Sequence, residues 1–335
     1  MTNQRRIYYA VYAAGIARDG TNTFTPIHGL QSLGLTTRFN LQHIFEVGQL
    51  AEYQAVENLP EVEITAEKCL DGYPLMYHLA TQDASSPTLA GRSAFKCTFG
   101  LSYYTDTQEN ASGTPLKQCT ASGVFPNSLS YNFPTEGVST ESVTFIGNDK
   151  VWISSAFTFT PTFDGTDAPP TGVQRRNDVL FGSGSNYCKL PTEIPGISGE
   201  GYNLMGSDGY FGTHVRNIRI QANFGRTPLY ELGQLRLYFR TVDFPLEVRT
   251  DIEIYSQVGD TINADSNSQA NITNQTMIIK MRDGDRFDLG AKNKLSNVSI
   301  TGGNAGTGGG NQTITYSYIN FNTLTVFSAN DPAGL

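Results

Sequence analysis

The sequence predicts a mainly β protein made of two tandem, related domains, each a β-sandwich or split barrel with a short helix and long loops. Three observations carry this. Gly, Asn, Ser and Thr are abundant and aromatics reach 11%, while charged residues stay at 16%. That is the balance of strands and turns, and neither heptads nor charge blocks appear. A length of 335 residues admits one large core or two ordinary ones. Finally, one stretch occurs twice.

The first copy is His43-Ile44-Phe45-Glu46-Val47-Gly48-Gln49-Leu50-Ala51-Glu52-Tyr53, running on to Pro60 and Thr65. The second is Pro228-Leu229-Tyr230-Glu231-Leu232-Gly233-Gln234-Leu235-Arg236-Leu237-Tyr238, running on to Pro245 and Thr250. At an offset of 185 and without a gap, seven of 23 aligned positions are identical. Average composition gives roughly one or two by chance. Upstream, Leu33, Leu35 and Phe39 face Ile218, Ile220 and Phe224. The period is far too long for a solenoid, so the match points to an internal duplication. The expected division is 1–163 for the first domain, 164–209 for a Gly/Pro/Ser-rich connection, and 210–335 for the second domain.

In chain order, Ile7 to Ala14 reads as a strand ended by the turn Arg18 to Asn22. Leu30 to Leu41 reads as a second, with Leu33, Leu35, Phe39 and Leu41 on one face. Ile44, Val47, Leu50 and Tyr53 recur every third residue, which predicts a short helix that Gly48 weakens. Pro60 closes it, and Val62 to Thr65 begins a strand. Leu246 to Ile254 is the matching strand, with Leu246, Val248, Ile252 and Ile254 on one parity. Phe95 to Tyr104 and Val151 to Phe163 are further strands. Cys119 to Phe133 and Glu141 to Gly147 predict a hairpin turning at Pro134 to Gly137, matched by Leu295 to Ile300 and Gln312 to Ile319. The tail from Asn330 should fray.

Chemistry is sparse. His28, His43, His78 and His214 stand in no metal or catalytic spacing. Asp283-Gly284-Asp285-Arg286-Phe287-Asp288 has calcium-like acids but lacks the EF-hand spacing, so a solvated turn is the reading. Gly302 to Gly310 lacks the Gly-Lys-Ser/Thr ending of a phosphate loop. Glu61/Glu63 and Asp251/Glu253 share strand faces and could serve glycoside chemistry, which needs two acids flanking a bond, but that spacing is common on any wet face. The expectation is no enzyme, no cofactor and no metal. The four cysteines lie too far apart for a CxxC site; a Cys97–Cys119 disulfide stays open beside reduced thiols. With a net charge of −8 and no basic cluster longer than Arg5-Arg6 or Arg175-Arg176, a phosphate-gripping surface is not expected. No apolar run is long enough to span a membrane. Arg5-Arg6 followed by Ile7 to Ala17 imitates a signal peptide faintly, but Tyr8, Tyr9 and Tyr12 fit a strand better.

Two copies of a β module with a repeated Glu-hydrophobe-Gly-Gln loop suggest assembly. The loop either makes contacts between subunits or stabilises each core.

These residues resemble the tail tube proteins of bacteriophages. The resemblance rests on Leu229-Tyr230-Glu231-Leu232-Gly233, Tyr238-Phe239-Arg240 and Phe244-Pro245-Leu246-Glu247-Val248. In the first half it rests on Phe45-Glu46-Val47-Gly48, Pro60-Glu61-Val62-Glu63 and the hairpin Ser128 to Gly147. It covers about half the chain and includes no catalytic residue.

The resemblance implies rings whose inner wall is a continuous β-barrel, stacked into a tube for DNA passage in a virion assembled in the host cytoplasm. Two modules per chain imply trimeric rings with pseudo-sixfold symmetry, with a hexamer as the alternative. It also implies partners among tail sheath or other tail proteins, viral DNA passing without specific binding, and no membrane. Contact candidates are Glu46, Gly48, Gln49, Tyr53, Glu231, Gly233, Gln234 and Tyr238. Lumen candidates are Glu61, Glu63 and Glu247, where negative charge would repel DNA. The competing readings are a baseplate hub, a capsid decoration or fibre protein, and a secreted carbohydrate-binding β-sandwich.

Overall fold

The computed structural model describes residues 12–104, 111, 113–154, 170–182, 184–195, 197, 214–234, 237–255, 272–302 and 312–335. Residues 7–11, 155–163 and 303–310, expected as strand and hairpin tip, lie outside them.

In the first half the chain runs β1 (Tyr12–Arg18), β2 (Phe24–Pro26), β3 (Leu30–Arg38), β4 (Leu41–Phe45), β5 (Glu52–Glu57) and β6 (Glu61–Cys69). Two short helices follow, α1 (Met76–Ala80) and α2 (Leu89–Ser93), then β7 (Cys97–Tyr103), β8 (Lys117–Pro134), β9 (Thr140–Gly147) and β10 (Val151–Ile153). The second half has β11 (His214–Asn223), β12 (Thr227–Leu229), β13 (Phe239–Thr241) and β14 (Glu247–Tyr255). It ends with β15 (Ile278–Lys280), β16 (Arg286–Asp288), β17 (Lys294–Thr301), β18 (Thr313–Phe321) and β19 (Thr325–Phe327).

The protein is mainly β, as the composition predicts. Eight strands form one antiparallel path in the order β3-β6-β9-β8-β11-β14-β18-β17. The path is open: among the described residues β3 pairs only with β6, and β17 only with β18. Its core face is the apolar parity of each strand, including Val62, Ile64, Val143, Phe145, Leu129, Tyr131, Ile218, Ile220, Val248, Ile252, Tyr316 and Tyr318, all buried. β8 is long enough to serve two layers. Its C-terminal half joins β9 and β11, while its N-terminal half pairs with β7 and β10. β7 and β1 then fold over the first four strands, where Phe99 meets Phe145 with ring centroids 5.8 Å apart. The small sheet β15-β16-β19 covers the middle, and Phe287 packs on Tyr131 and Phe133.

The wiring repeats. In each half a strand, a projecting hairpin and a returning strand are followed by a further antiparallel pair: β3, β4-β5, β6, β9, β8 and then β11, β12-β13, β14, β18, β17. Bulges recur at matched places. β3 is bulged between Leu30 and Ser32, and β11 between Val215 and Asn217. β8 is bulged between Pro126 and Ser128, and β17 between Leu295 and Asn297.

The gapless offset does not survive past the hairpin. Leu35 faces Ile64 and its match Ile220 faces Thr250, so the returning strands correspond at an offset of 186. The hairpins themselves keep the offset of 185 on both strands, Ile44 opposite Gln54 and Leu229 opposite Phe239. One extra residue in the link 242–246 therefore restores the parity, because a one-residue slip would turn the apolar set outward.

The helix expected over Ile44 to Tyr53 is a hairpin, β4-β5, with a turn at Val47-Gly48. Its three-residue period has no core to face, and Gly48 adopts φ +91°. Both helices lie in the first half instead, and the described residues of the second half contain none. The strand expected to reach Leu41 stops at Arg38, and Phe39 is 74% exposed. The tail does not fray: buried Arg92 pairs with Asp331, and Asn330 donates to the Gly72 carbonyl. Buried Arg92 needs that carboxylate as its counter-charge. In the connection 164–209, Val179, Cys188, Leu190 and Ile194 are buried, and Val179 and Lys189 bridge to Met281 and Ile278.

Candidate assembly interface

Two hairpin arms project from the same end of the eight-stranded path. The turns are built alike. Gln49 N–H donates to the Glu46 carbonyl at 3.2 Å, and Gln234 N–H donates to the Glu231 carbonyl at 3.3 Å. Gly48 and Gly233 hold φ +91° and +83°, the left-handed region that only glycine enters freely. The repeated Glu-x-Gly-Gln is therefore the chemistry of one tight turn. It supports no core: Val47, Leu50 and Leu232 are fully exposed. Tyr53 and Tyr238 stand exposed on the arms, as do Phe45 and Tyr230. Apolar side chains gathered on one exposed tip make it a candidate contact surface.

The second arm is anchored to the first half. Arg226 is buried over the Phe125 ring and donates from Nε to the Pro126 carbonyl at 2.6 Å and from Nη2 to the Ser93 carbonyl at 2.7 Å. Burial lowers its pKa to about 10, and it stays a cation at neutral pH. Arg240, also buried, donates to Asn148 at 3.1 Å and lies 3.5 Å from Glu61. The base of the first arm is tied by Asn40 Nδ2 to the Leu59 carbonyl at 2.9 Å. Rigid bases with exposed apolar tips suit docking, because little freedom is lost on contact.

The opposite parity of the path makes a polar face. Across β9 and β8 it carries Thr140, Ser142 and Thr144 beside Ser128, Ser130 and Asn132, none of them charged. The expected lumen residues Glu61, Glu63 and Glu247 all lie on this face. It is less negative than expected, because most of its acids are paired. Arg38 lies 3.8 Å from Glu61 and 2.9 Å from Glu63; Arg249 pairs with Asp251 at 3.0 Å, and Arg216 with Glu253 at 2.9 Å. Paired arginines have little charge to offer a phosphate backbone.

Of the eight contact candidates, Glu46, Gly48 and Gln49 gather at one tip and Glu231, Gly233 and Gln234 at the other. Sequence reasoning missed the edges β3 and β17, where Leu35 is half-buried and Ile300 is 51% exposed. The signal was present in the matching of Leu295 to Ile300 with Cys119 to Phe133. A strand whose equivalent is paired in the middle of the sheet, but which itself lies at the edge, lacks a neighbour.

No metal-ligand grouping occurs among the described residues, and no helix there is long and apolar enough to cross a membrane. All four cysteines are free and buried.

No family model matches the chain, and no curated protein does. Among solved structures, a chain from the cryo-EM structure of the anti-feeding prophage (AFP) baseplate, 6-fold symmetrised, is similar over 47% of this chain and 100% of its own. Its identity is 9% and its TM-score 0.32. That likeness is too distant to bear on function.

Proposed function

We propose that the chain is a self-assembling structural subunit of a phage tail, a tube protein whose rings of three copies stack into a hollow conduit. The observation that supports this best is the open eight-stranded sheet, with a small-residue polar face on one side and a core on the other. Its halves repeat one wiring, which fits an internal duplication, and they meet at the β8–β11 joint. That joint, Tyr131 opposite Ile220 and Ser130 opposite Gln221, is a template for joining β17 of one copy to β3 of the next.

Transferred by the matched bulges, the joint sets Ile300 opposite Leu35 and Ser299 opposite Thr36 of the neighbour. Exposed edges that would otherwise recruit any strand are then paired. Three copies would close a barrel of roughly 24 strands, above the 16–18 that already leave an aqueous channel. Its lining would be mainly Ser, Thr and Asn with most charges paired and Arg219 bonded to Ser130, a surface that offers DNA little cationic hold.

Negative-stain electron microscopy with light scattering tests this. Hollow tubes or rings in multiples of three chains are the expected result. Rings of six would remove the two-module count, and discrete trimers that never stack would move the assignment to a baseplate hub. A monomer at every concentration would refute self-assembly of the purified chain.

A further inference from the structure

The arms leave one end of the sheet, where Arg38 and Glu61 lie; at the other end, beside Pro134, His214 and Tyr255, the surface carries an apolar groove of about 340 Å³. Its apolar lining includes Phe133, Phe181 and Ile218, and its charged lining is Arg176 and Arg216, with His214 beside them. No acid lines it. The first arm, Leu41 to Glu57, carries Glu46, Glu52 and Glu57 and no Lys or Arg. Its tip presents Val47 and Leu50 fully to solvent, with Glu46 alongside.

We infer that this groove is the receptor for the Glu46-Val47-Gly48-Gln49-Leu50 tip of another copy. The inference rests on the stacked-ring reading and deepens it. Tip and groove lie at opposite ends of one sheet, so their contact is head-to-tail and generates an open series of copies. Apolar side chains would leave water for an apolar trough, which is the favourable term. Glu46 would approach the Arg176 guanidinium, which fixes the register and rejects a cationic tip; Arg216 is already paired with Glu253. The left-handed Gly48 lets the turn be narrow enough to enter without carrying a side chain at its bend.

Disulfide trapping on the full chain tests the contact directly. Val47→Cys is placed in one preparation and Thr135→Cys, on the groove rim, in another. The native thiols are buried, and burial pushes all four up in pKa, so they stay out of the reaction. A linked pair at twice the chain mass in the mixture, and in neither preparation alone, is the expected result. Its absence from the mixture, or equal yield in the unmixed samples, overturns the inference. In a second arm of the test, Glu46→Arg lowers the assembled fraction by about tenfold, and adding Arg176→Glu in the same chain restores it. Failure of that rescue also counts against the groove.

The two readings fail separately. Rings or tubes seen by microscopy without the linked pair would remove this contact and leave the tube. A linked pair in samples that never form rings would keep the contact and remove the tube.

Discussion

Replacing Ile300 by Asp should break the joint between copies while sparing the fold. Ile300 lies on the core parity of the edge strand β17 and is 51% exposed in the single chain. Fully burying such a side chain stabilises by about 1.5–3 kcal/mol, so covering its remaining half contributes about 1 kcal/mol per joint. An aspartate there would add an unpaired carboxylate against Leu35 of the neighbour, at a cost of about 2–3 kcal/mol. The total, about 3–4 kcal/mol, lowers the association constant of each joint more than about 100-fold.

Light scattering across a concentration series reads this, with the thermal midpoint as the folding control. Leu35→Asp should damage the opposite edge to the same extent. The mixture is the sharper experiment. The Leu35→Asp copy keeps a sound β17, and the Ile300→Asp copy keeps a sound β3. Each variant alone should stay monomeric, and together they should form a dimer that cannot close or grow. A mixture that forms rings, or an Ile300→Asp protein that assembles at native concentrations, would show that these edges do not meet.

Three further outcomes follow from the buried polar groups. Asp331→Ala leaves the Arg92 guanidinium buried with only Thr81 to bond, Nη1 to Oγ1 at 3.0 Å; the expected loss is about 3–5 kcal/mol in denaturant unfolding, and a loss below about 1 kcal/mol would contradict it. Glu141 accepts from Met76 N–H at 2.6 Å, Tyr77 N–H at 3.1 Å and Tyr131 Oη at 3.2 Å, so Glu141→Leu should cost about 3 kcal/mol and lower the amide protection of α1 in hydrogen exchange. Asp285 is pushed up to about 7, first by burial and then by the Asp283 charge. The folded protein thus holds a proton that the unfolded chain releases. The associated stability is complete below the ordinary carboxylate value of 3.8 and is lost as pH rises through 7. His78, lowered to about 4 chiefly by burial, slopes the other way between that pH and its ordinary 6.5, so the comparison is with Asp285→Asn. That variant should gain about 2–3 kcal/mol over the native chain at pH 8 and nothing at pH 3.5.

Much of the sheet was legible because its strands are two-sided. Leu246 to Ile254 and the hairpin around Pro134 to Gly137 alternate apolar and polar, and each forms a strand or strand pair where the alternation lies. The arms were not legible as strands, because nothing buries them within one chain. Ile44, Val47, Leu50 and Tyr53 keep a three-residue spacing without any face to pack, so periodicity had no core to report. The groove was invisible for a related reason: Phe133 and Val215 are brought together by the β8–β11 joint, and Arg176 comes from the separate segment between the two halves.

The repeated stretch shows how far identity of letters differs from identity of place. Thr65 and Thr250 align without a gap, yet Thr65 is exposed on the polar face and Thr250 is buried on the core face. Pairing partners settle the correspondence, since Ile64 and Thr250 both face the matched residues Leu35 and Ile220. The extra residue sits in the link 242–246 between the second arm and β14, which absorbs it without shifting the pairing of the arm or of the sheet. A strand tolerates no such insertion unless it bulges, and the bulges here fall at the same places in both halves. The link was therefore free to diverge in length while the register of the arms and of the sheet stayed fixed. That is the pattern expected if the register must be reproduced across every joint of a closed ring.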